Sequence, residues 1–479
     1  MKRSKNKLIG LLFVAILSFT LLSPFIVATP EPSEKIGVLL ISIGEPEKYD
    51  ADMYVGWKNF LNNYMESGMK MMKMPFIGPI IEKAFTVMDS GTLLVDRNDI
   101  FATEPKKDSD LMDAWGNSYT GKDYRWVSKP FTAIFGSMPM VGEMMPQFSY
   151  YLAPDGPGKG EPDLWEYINL GMYDMYQKMD NHNPGEEREL RILDEIEAKL
   201  KEKYGDRIVI ARGFGAARPG FPDFRIAAES LVREENVKNL ILAEVYIVFS
   251  EFEHPAGEIP EYLEEGGLNV NIIASDQIGG TDAYNEGVAQ KVEEELMKIP
   301  DDRDVVIILN HHGMPCSNMF LYNFGKELYH QYADIAFEGA KKEICNLDIV
   351  KNWKGRFDVW KTYAEMAEGS MDPDKEILSV GEAADKAVKE EYDYCIDIPY
   401  EVGNSGYETL IGLREGGWGL ESPAWNEYYE DGLRKYRTEF EYKGMNVVIT
   451  DGWINGCAEG CYHQISAAVE EFVRILARA

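Results

Sequence analysis

Residues 310–315 read Asn-His-His-Gly-Met-Pro, directly after the apolar run Val305–Asn310. The chain has six histidines in 479 residues, and two of them, His311 and His312, stand side by side here. An imidazole titrates close to neutral pH, so it can take up a proton or ligate a soft metal. Adjacent side chains at a strand tip point to opposite faces, so only one of the pair can turn toward a pocket. The competing reading is a histidine that packs a turn through a hydrogen bond. Acidic partners occur near the end of the chain: Asp451 and Glu459 within TDGWINGCAEG (Thr450–Gly460), with His463 a turn beyond. Imidazole plus carboxylate suits holding a divalent cation or relaying protons. That requires the two strand tips to be neighbours in one sheet; otherwise Asp451 caps a helix and Glu459 is a solvated side chain. A third strand tip, Glu244–Pro255, carries His254, which either joins the site or is a loop residue, the loop reading being preferred.

Several familiar chemistries are excluded. GFGAARPG (Gly213–Gly220) looks superficially like a dinucleotide turn, but Arg218 stands where the third glycine belongs and Pro219 and Pro222 break the helix start. No GxxxxGK[ST] loop and no Gly-x-Ser-x-Gly elbow occurs. The run Cys457-Ala-Glu-Gly-Cys461-Tyr-His463 has the wrong spacing for haem attachment and reads as a disulfide or two packed thiols near a helix start. Five cysteines do not make a disulfide scaffold. With 81 acidic against 49 basic residues, the net charge of −32 argues against nucleic acid, which needs a cationic surface, and disfavours anionic lipid.

The elements that must position these residues follow from periodicity. The linker before Lys35 is preceded by MKRSKNK and an uncharged apolar run, Leu8–Ala28, so residues 1–30 read as a signal peptide or an uncleaved signal anchor. Either reading places residues 31–479 outside the cytoplasm. Ile36–Gly44 is a continuous apolar run ending in Gly, as in a strand covered on both faces. A helix over Met53–Met65 follows, then a Met-rich segment, Met69–Pro75. Residues 77–185, rich in Gly, Pro, Met and aromatics, read as a large irregular insertion or lid. Regular alternation then predicts helices over Glu186–Gly205, Asp223–Glu235, Asp282–Ile299, Gly325–Ile344 and His463–Ala479. Between them lie strands Arg207–Ala211, Asn239–Ser250, Asn269–Ser275, Asp304–Asn310 and Met445–Gly452. Such alternation means an α/β chain with parallel sheets, whose ligands bind at the carboxyl ends of the strands. His311 and His312 sit just past such an end.

Three stretches, in order, resemble the class II chelatases, the ferrochelatase and anaerobic cobaltochelatase family. They are GVLLISIGEPEKYDADMYVGWKNFLNNYMESGMKMMKMP (Gly37–Pro75), Arg212–Ser250, and NHHGMP, which is similar to the family's Ser-x-His-Gly-Leu-Pro with His312 at its essential histidine. The resemblance implies two similar Rossmann-like domains with parallel sheets and an interdomain cleft, over residues 31–300 (with the insertion at 77–185) and 301–479. It implies a tetrapyrrole and a divalent metal, Fe2+ or Co2+, as substrates, with no further cofactor required. In that reading His312 accepts protons or passes on the metal, and Asp451 or Glu459 carries protons, with Glu459 the second metal ligand. Arg212 and Arg218 pair with substrate propionates, and the Met and aromatic residues cover the ring. The sequence departs from the family at the last strand, where Gly452 or Trp453 occupies the position of a histidine. The alternative reading is therefore an exported haem-, tetrapyrrole- or metal-binding protein on the same scaffold. A periplasmic solute-binding protein would share the two-lobed build but leaves NHHGMP unexplained.

Overall fold

The computed structural model describes residues 35–49, 92–97, 111–112, 118–119, 124–128, 148–152, 175–248, 255–311, 326–363, 378–401, 406, 408–421 and 424–476. The expected helix over Met53–Met65, the Met-rich segment, His254, His312 and Cys316 lie outside them, as does the leader. No helix among the described residues is long and apolar enough to cross a membrane.

The chain opens with β1 (Ile36–Ser42), buried along its whole length, as the aliphatic run Val38–Ile41 favours. Five short strands follow: β2 (Thr92–Asp96), β3 (Leu111–Met112), β4 (Ser118–Tyr119), β5 (Tyr124–Ser128) and β6 (Phe148–Leu152). They form an antiparallel sheet in the order β4-β3-β2-β6-β5. The region expected to be irregular therefore carries a sheet of its own. Strands of two to five residues are too short to show an alternation that a sequence pattern can register.

Helix α1 (Gly185–Tyr204) returns the chain to the first parallel sheet, burying Ile192, Leu193, Ile196 and Leu200 along one stripe. It ends at Gly205, whose φ of 55° an L side chain rarely adopts. Then come β7 (Ile208–Phe214), α2 (Phe224–Arg233), β8 (Asn239–Glu244), α3 (Pro255–Glu265), β9 (Asn271–Ala274) and α4 (Asp282–Leu296). Asp223 caps α2 by accepting from the Arg225 backbone N–H at 2.8 Å. The sheet order is β7-β1-β8-β9, every pair parallel.

The second half repeats this plan. Its elements are β10 (Val305–His311), α5 (Lys326–Asn346), α6 (Asp348–Lys351), β11 (Phe357–Tyr363), β12 (Leu378–Ser379), α7 (Val380–Lys389) and β13 (Tyr394–Pro399). A π-helical segment (Glu408–Gly417), β14 (Asn426–Glu430), β15 (Leu433–Tyr442), β16 (Met445–Ile449) and α8 (Cys457–Leu476) complete it. The order is β12-β11-β10-β13-β16-β15-β14, parallel as far as β16 and antiparallel at β15 and β14.

The protein is thus α/β with parallel-stranded sheets, and its two parallel-stranded sheets are alike around their first strands. In each, the first strand lies between the next long strand of that sheet (β7, β11) and a later one (β8, β13), and β12 adds to the outside of β11 in the second sheet. The strand order reverses across the sheet at β1/β8 and at β10/β13, and the carboxyl end of that gap is where such folds bind ligands. The halves are not independent bodies. One continuous core takes residues from β1, α1, β8 and α4 and from β10, α5, β13 and α8. The last helix packs back on the first half, where the Lys203 ammonium lies 3.2 Å from Glu470. Gly287 on α4 leaves no room for a Cβ against the Asn455 carbonyl, so the loop after β16 seats directly on that helix.

Candidate functional site

At the first tip, the chain leaves β1 through Ser42, Gly44 and Glu45. Glu189 on α1 brackets this turn: one carboxyl oxygen accepts from the Ser42 hydroxyl and from the Gly44 backbone N–H (2.9 Å). Burial pushes the Glu189 carboxyl above the usual carboxylate range, against the lowering effect of those two hydrogen bonds. Its other oxygen is buried with no hydrogen-bond partner among the described residues. Glu45 is also buried and accepts from Asn183 Nδ2 at 3.0 Å, while the Tyr176 hydroxyl donates to the Pro46 carbonyl at 2.7 Å.

At the second tip, β10 ends on His311, which is fully buried. Its ring faces Tyr363 across β11 (centroids 5.6 Å apart) and Tyr400 just past β13 (5.0 Å). Nδ1 lies 3.3 Å from Glu401 Oε2, within ion-pair reach but without hydrogen-bond alignment, and Nε2 has no hydrogen-bond partner among the described residues. The opposite face of β10 carries Asn310, whose amide lies 3.3 and 3.4 Å from the two Asp397 oxygens; Trp418 Nε1 donates to Asp397 at 2.6 Å. Burial drives the Asp397 carboxyl up to about 7 despite these donors and the nearby Arg414.

The two tips meet. Neither Gly185 in the first half nor Gly406 in the second has space for a Cβ against the Glu45 carboxylate, so that side chain is held between the halves. Lys178 also reaches across to Glu415 at 2.7 Å. The turn after β1 and the segment after β13 therefore touch through Glu45.

The residues singled out from the sequence fall differently. His312 lies outside the described residues, and its neighbour His311 is the imidazole seen at the tip. Asp451 is not beside it: β13 intervenes between β10 and β16. The Asp451 carboxylate is fully engaged by Arg188 (3.1 and 2.9 Å) and the Tyr436 and Trp453 backbone N–H groups (2.8 and 2.7 Å). Burial alone would raise its pKa, but Arg188 and Lys291 outweigh that and hold it below the usual range. Glu459 pairs with Lys199 at 2.6 Å and with His463 at 3.0 Å on a partly exposed helix face.

Both arginines expected at propionates already hold carboxylates. Arg212 binds Asp194 and Glu197 (2.6 and 2.7 Å), and Arg218 binds Glu186 at 2.6 Å with its guanidinium over the Phe221 ring. Cys457 and Cys461 are two packed, buried free thiols; burial raises both. Glu45, Glu189, Asp397 and Glu401 were not picked out from the sequence, although Glu189 sits on the apolar stripe of its helix and Asp397 interrupts an apolar strand.

No protein-family model matches the chain, and no curated protein matches it. Among solved structures it shows slight likeness to the Cra transcriptional dual regulator from Pseudomonas putida in complex with fructose 1-phosphate. The two are 11% identical over 59% of this chain and 87% of that chain, with a TM-score of 0.23. It also shows likeness to a branched-chain amino acid transporter substrate-binding protein from Streptococcus pneumoniae in complex with isoleucine (13%, 50% and 58%, TM-score 0.20). A putative branched-chain amino acid ABC transporter from Silicibacter pomeroyi is similar at 9% identity (45% and 50%, TM-score 0.19). Likeness at this level assigns neither a ligand nor an activity.

Proposed function

We propose that this protein is an exported, chelatase-type enzyme that binds a tetrapyrrole at the junction of the two strand tips and inserts a divalent metal, Fe2+ or Co2+. One observation carries the reading. Two of the chelatase-like stretches, SIGEP and NHHGMP, begin on the last residues of β1 and β10, the first strands of the two parallel-stranded sheets. A ligand spanning the junction would touch both.

Metal insertion must remove two pyrrole protons while the cation enters from one face, so the site needs a base near neutral pH and a wall that bends the ring. His312 is the proton acceptor in this reading, with His311 beside it. The metal is cargo, not a resident cofactor, and no additional cofactor is required. Substrate propionates would have to compete with Asp194, Glu197 and Glu186 for Arg212 and Arg218.

The test supplies the full chain, anaerobically, with protoporphyrin and Fe2+ and, separately, with sirohydrochlorin and Co2+. Absorption reports insertion, and His312→Ala runs alongside. Turnover that the variant lacks is expected; equal turnover in the variant removes His312 from its role.

A second reading, a non-catalytic tetrapyrrole- or haem-binding protein on the same scaffold, is favoured by the buried Arg188–Asp451 pair. That pair withdraws the last-strand acid from proton or metal transfer. Spectral shifts on binding, with no insertion in either assay, decide for it.

A further inference from the structure

We propose that His311 and Glu401 form a binding site for a divalent transition-metal ion at the carboxyl end of β10. The site deepens the chelatase reading by naming where the metal is held, and rests on that reading only for the metal's being cargo.

The argument begins with unmet hydrogen bonding. The His311 side chain is fully buried, and neither ring nitrogen makes a hydrogen bond among the described residues. The Tyr400 hydroxyl, whose ring lies 5.0 Å from that of His311, is likewise buried without a partner among them. Each such polar group left unsatisfied costs about 1–3 kcal/mol, so several in one spot mark a place where something polar belongs. Imidazole nitrogen and carboxylate oxygen are both donor atoms for a metal ion, and the carboxylate favours a cation over an anion or an apolar group.

The spacing selects the class of cation. Nδ1 of His311 stands 3.3 Å from Oε2 of Glu401 without the alignment of a hydrogen bond. Nitrogen and oxygen ligands about 2.0–2.2 Å from one ion, at a tetrahedral angle, lie roughly 3.3–3.4 Å apart. Imidazole with carboxylate suits zinc, iron or cobalt, whereas calcium and magnesium prefer an all-oxygen shell. Position agrees: the pair flanks the β10/β13 gap, and Tyr363 and Tyr400 wall the imidazole on both sides. A buried water could also satisfy these atoms, and that is the outcome the experiment must separate.

Metal-free full-length protein is titrated with Co2+ alone, without tetrapyrrole, and the visible ligand-field bands are recorded. One equivalent should bind with tetrahedral-type intensity, and His311→Gln and Glu401→Gln should each weaken binding at least about tenfold while far-ultraviolet circular dichroism is unchanged. Glu401 lies nearer the surface, with 11% of its side chain exposed, so Glu401→Gln remains informative if the buried His311→Gln variant misfolds. Absent bands, or bands of equal strength in a folded Glu401→Gln variant, overturn the site. Insertion activity without Co2+ bands sinks this site and spares the chelatase reading; bands without insertion do the reverse.

Discussion

Arg188 and Asp451 stand 263 positions apart and form one buried ion pair, Nη1 to Oδ1 at 3.1 Å and Nη2 to Oδ2 at 2.9 Å. Arg188 belongs to the helix that follows the insertion, and Asp451 to the loop after the last strand. The guanidinium also donates to the Arg434 carbonyl, and the carboxylate also accepts from two backbone N–H groups. The pair therefore fixes α1 to the carboxyl end of β16 in the second sheet. An acid that the sequence offers for chemistry serves here to join the two halves.

Removing one partner should expose this role. Asp451→Ala strands a buried guanidinium, and breaking a buried pair in that way costs about 3–5 kcal/mol. Arg188→Met with Asp451→Leu removes both charges and should recover much of the loss. Urea unfolding of the single and double variants measures it. A stable Asp451→Ala protein that has lost only metal insertion would instead return Asp451 to the reaction.

The parallel strands were legible because β1, β7, β8, β10 and β16 are strong apolar runs separated by amphipathic helices. Legibility failed where the signal is short or non-local. The antiparallel sheet of residues 92–152 rests on pairings between strands of two to five residues. Pairing Asp451 with His312 required their two apolar strands to be neighbours, but β13 separates those strands, and no local pattern encodes that order. Glu189 and Asp397 were readable in principle. Each is a lone acid on an apolar stripe or strand, a pattern that burial makes costly unless donors or a proton compensate.

Asp397 should make stability fall as pH rises. Its folded pKa, about 7, exceeds the ordinary 3.8, so the folded state binds a proton that the unfolded state has released. The contribution is complete below about pH 4 and is lost progressively toward pH 7, a change on the order of 4 kcal/mol at about 1.4 kcal/mol per unit. Asp397→Asn keeps the shape and removes the titration, so its unfolding free energy should decline less between pH 4.5 and pH 7.5. Glu189 titrates with the same sign and leaves some slope behind. Parallel profiles for wild type and Asp397→Asn would show that Asp397 is ionised in the folded protein throughout.

Glu459 should prove dispensable to metal handling. Its partners are Lys199 and His463, with 41% and 57% of their side chains exposed, and 35% of the Glu459 side chain is itself exposed. Ion pairs so open to water contribute between zero and about 1 kcal/mol. Glu459→Gln should therefore shift the unfolding midpoint little and leave both Co2+ binding and metal insertion within about twofold of wild type. His311→Gln in the same assays should separate sharply from it, because His311 lies at the β10 tip and Glu459 in the first turn of the last helix. Were Glu459→Gln to abolish insertion with its fold intact, the last-helix carboxylate would be the second metal ligand, and Glu401 would lose its claim to that place.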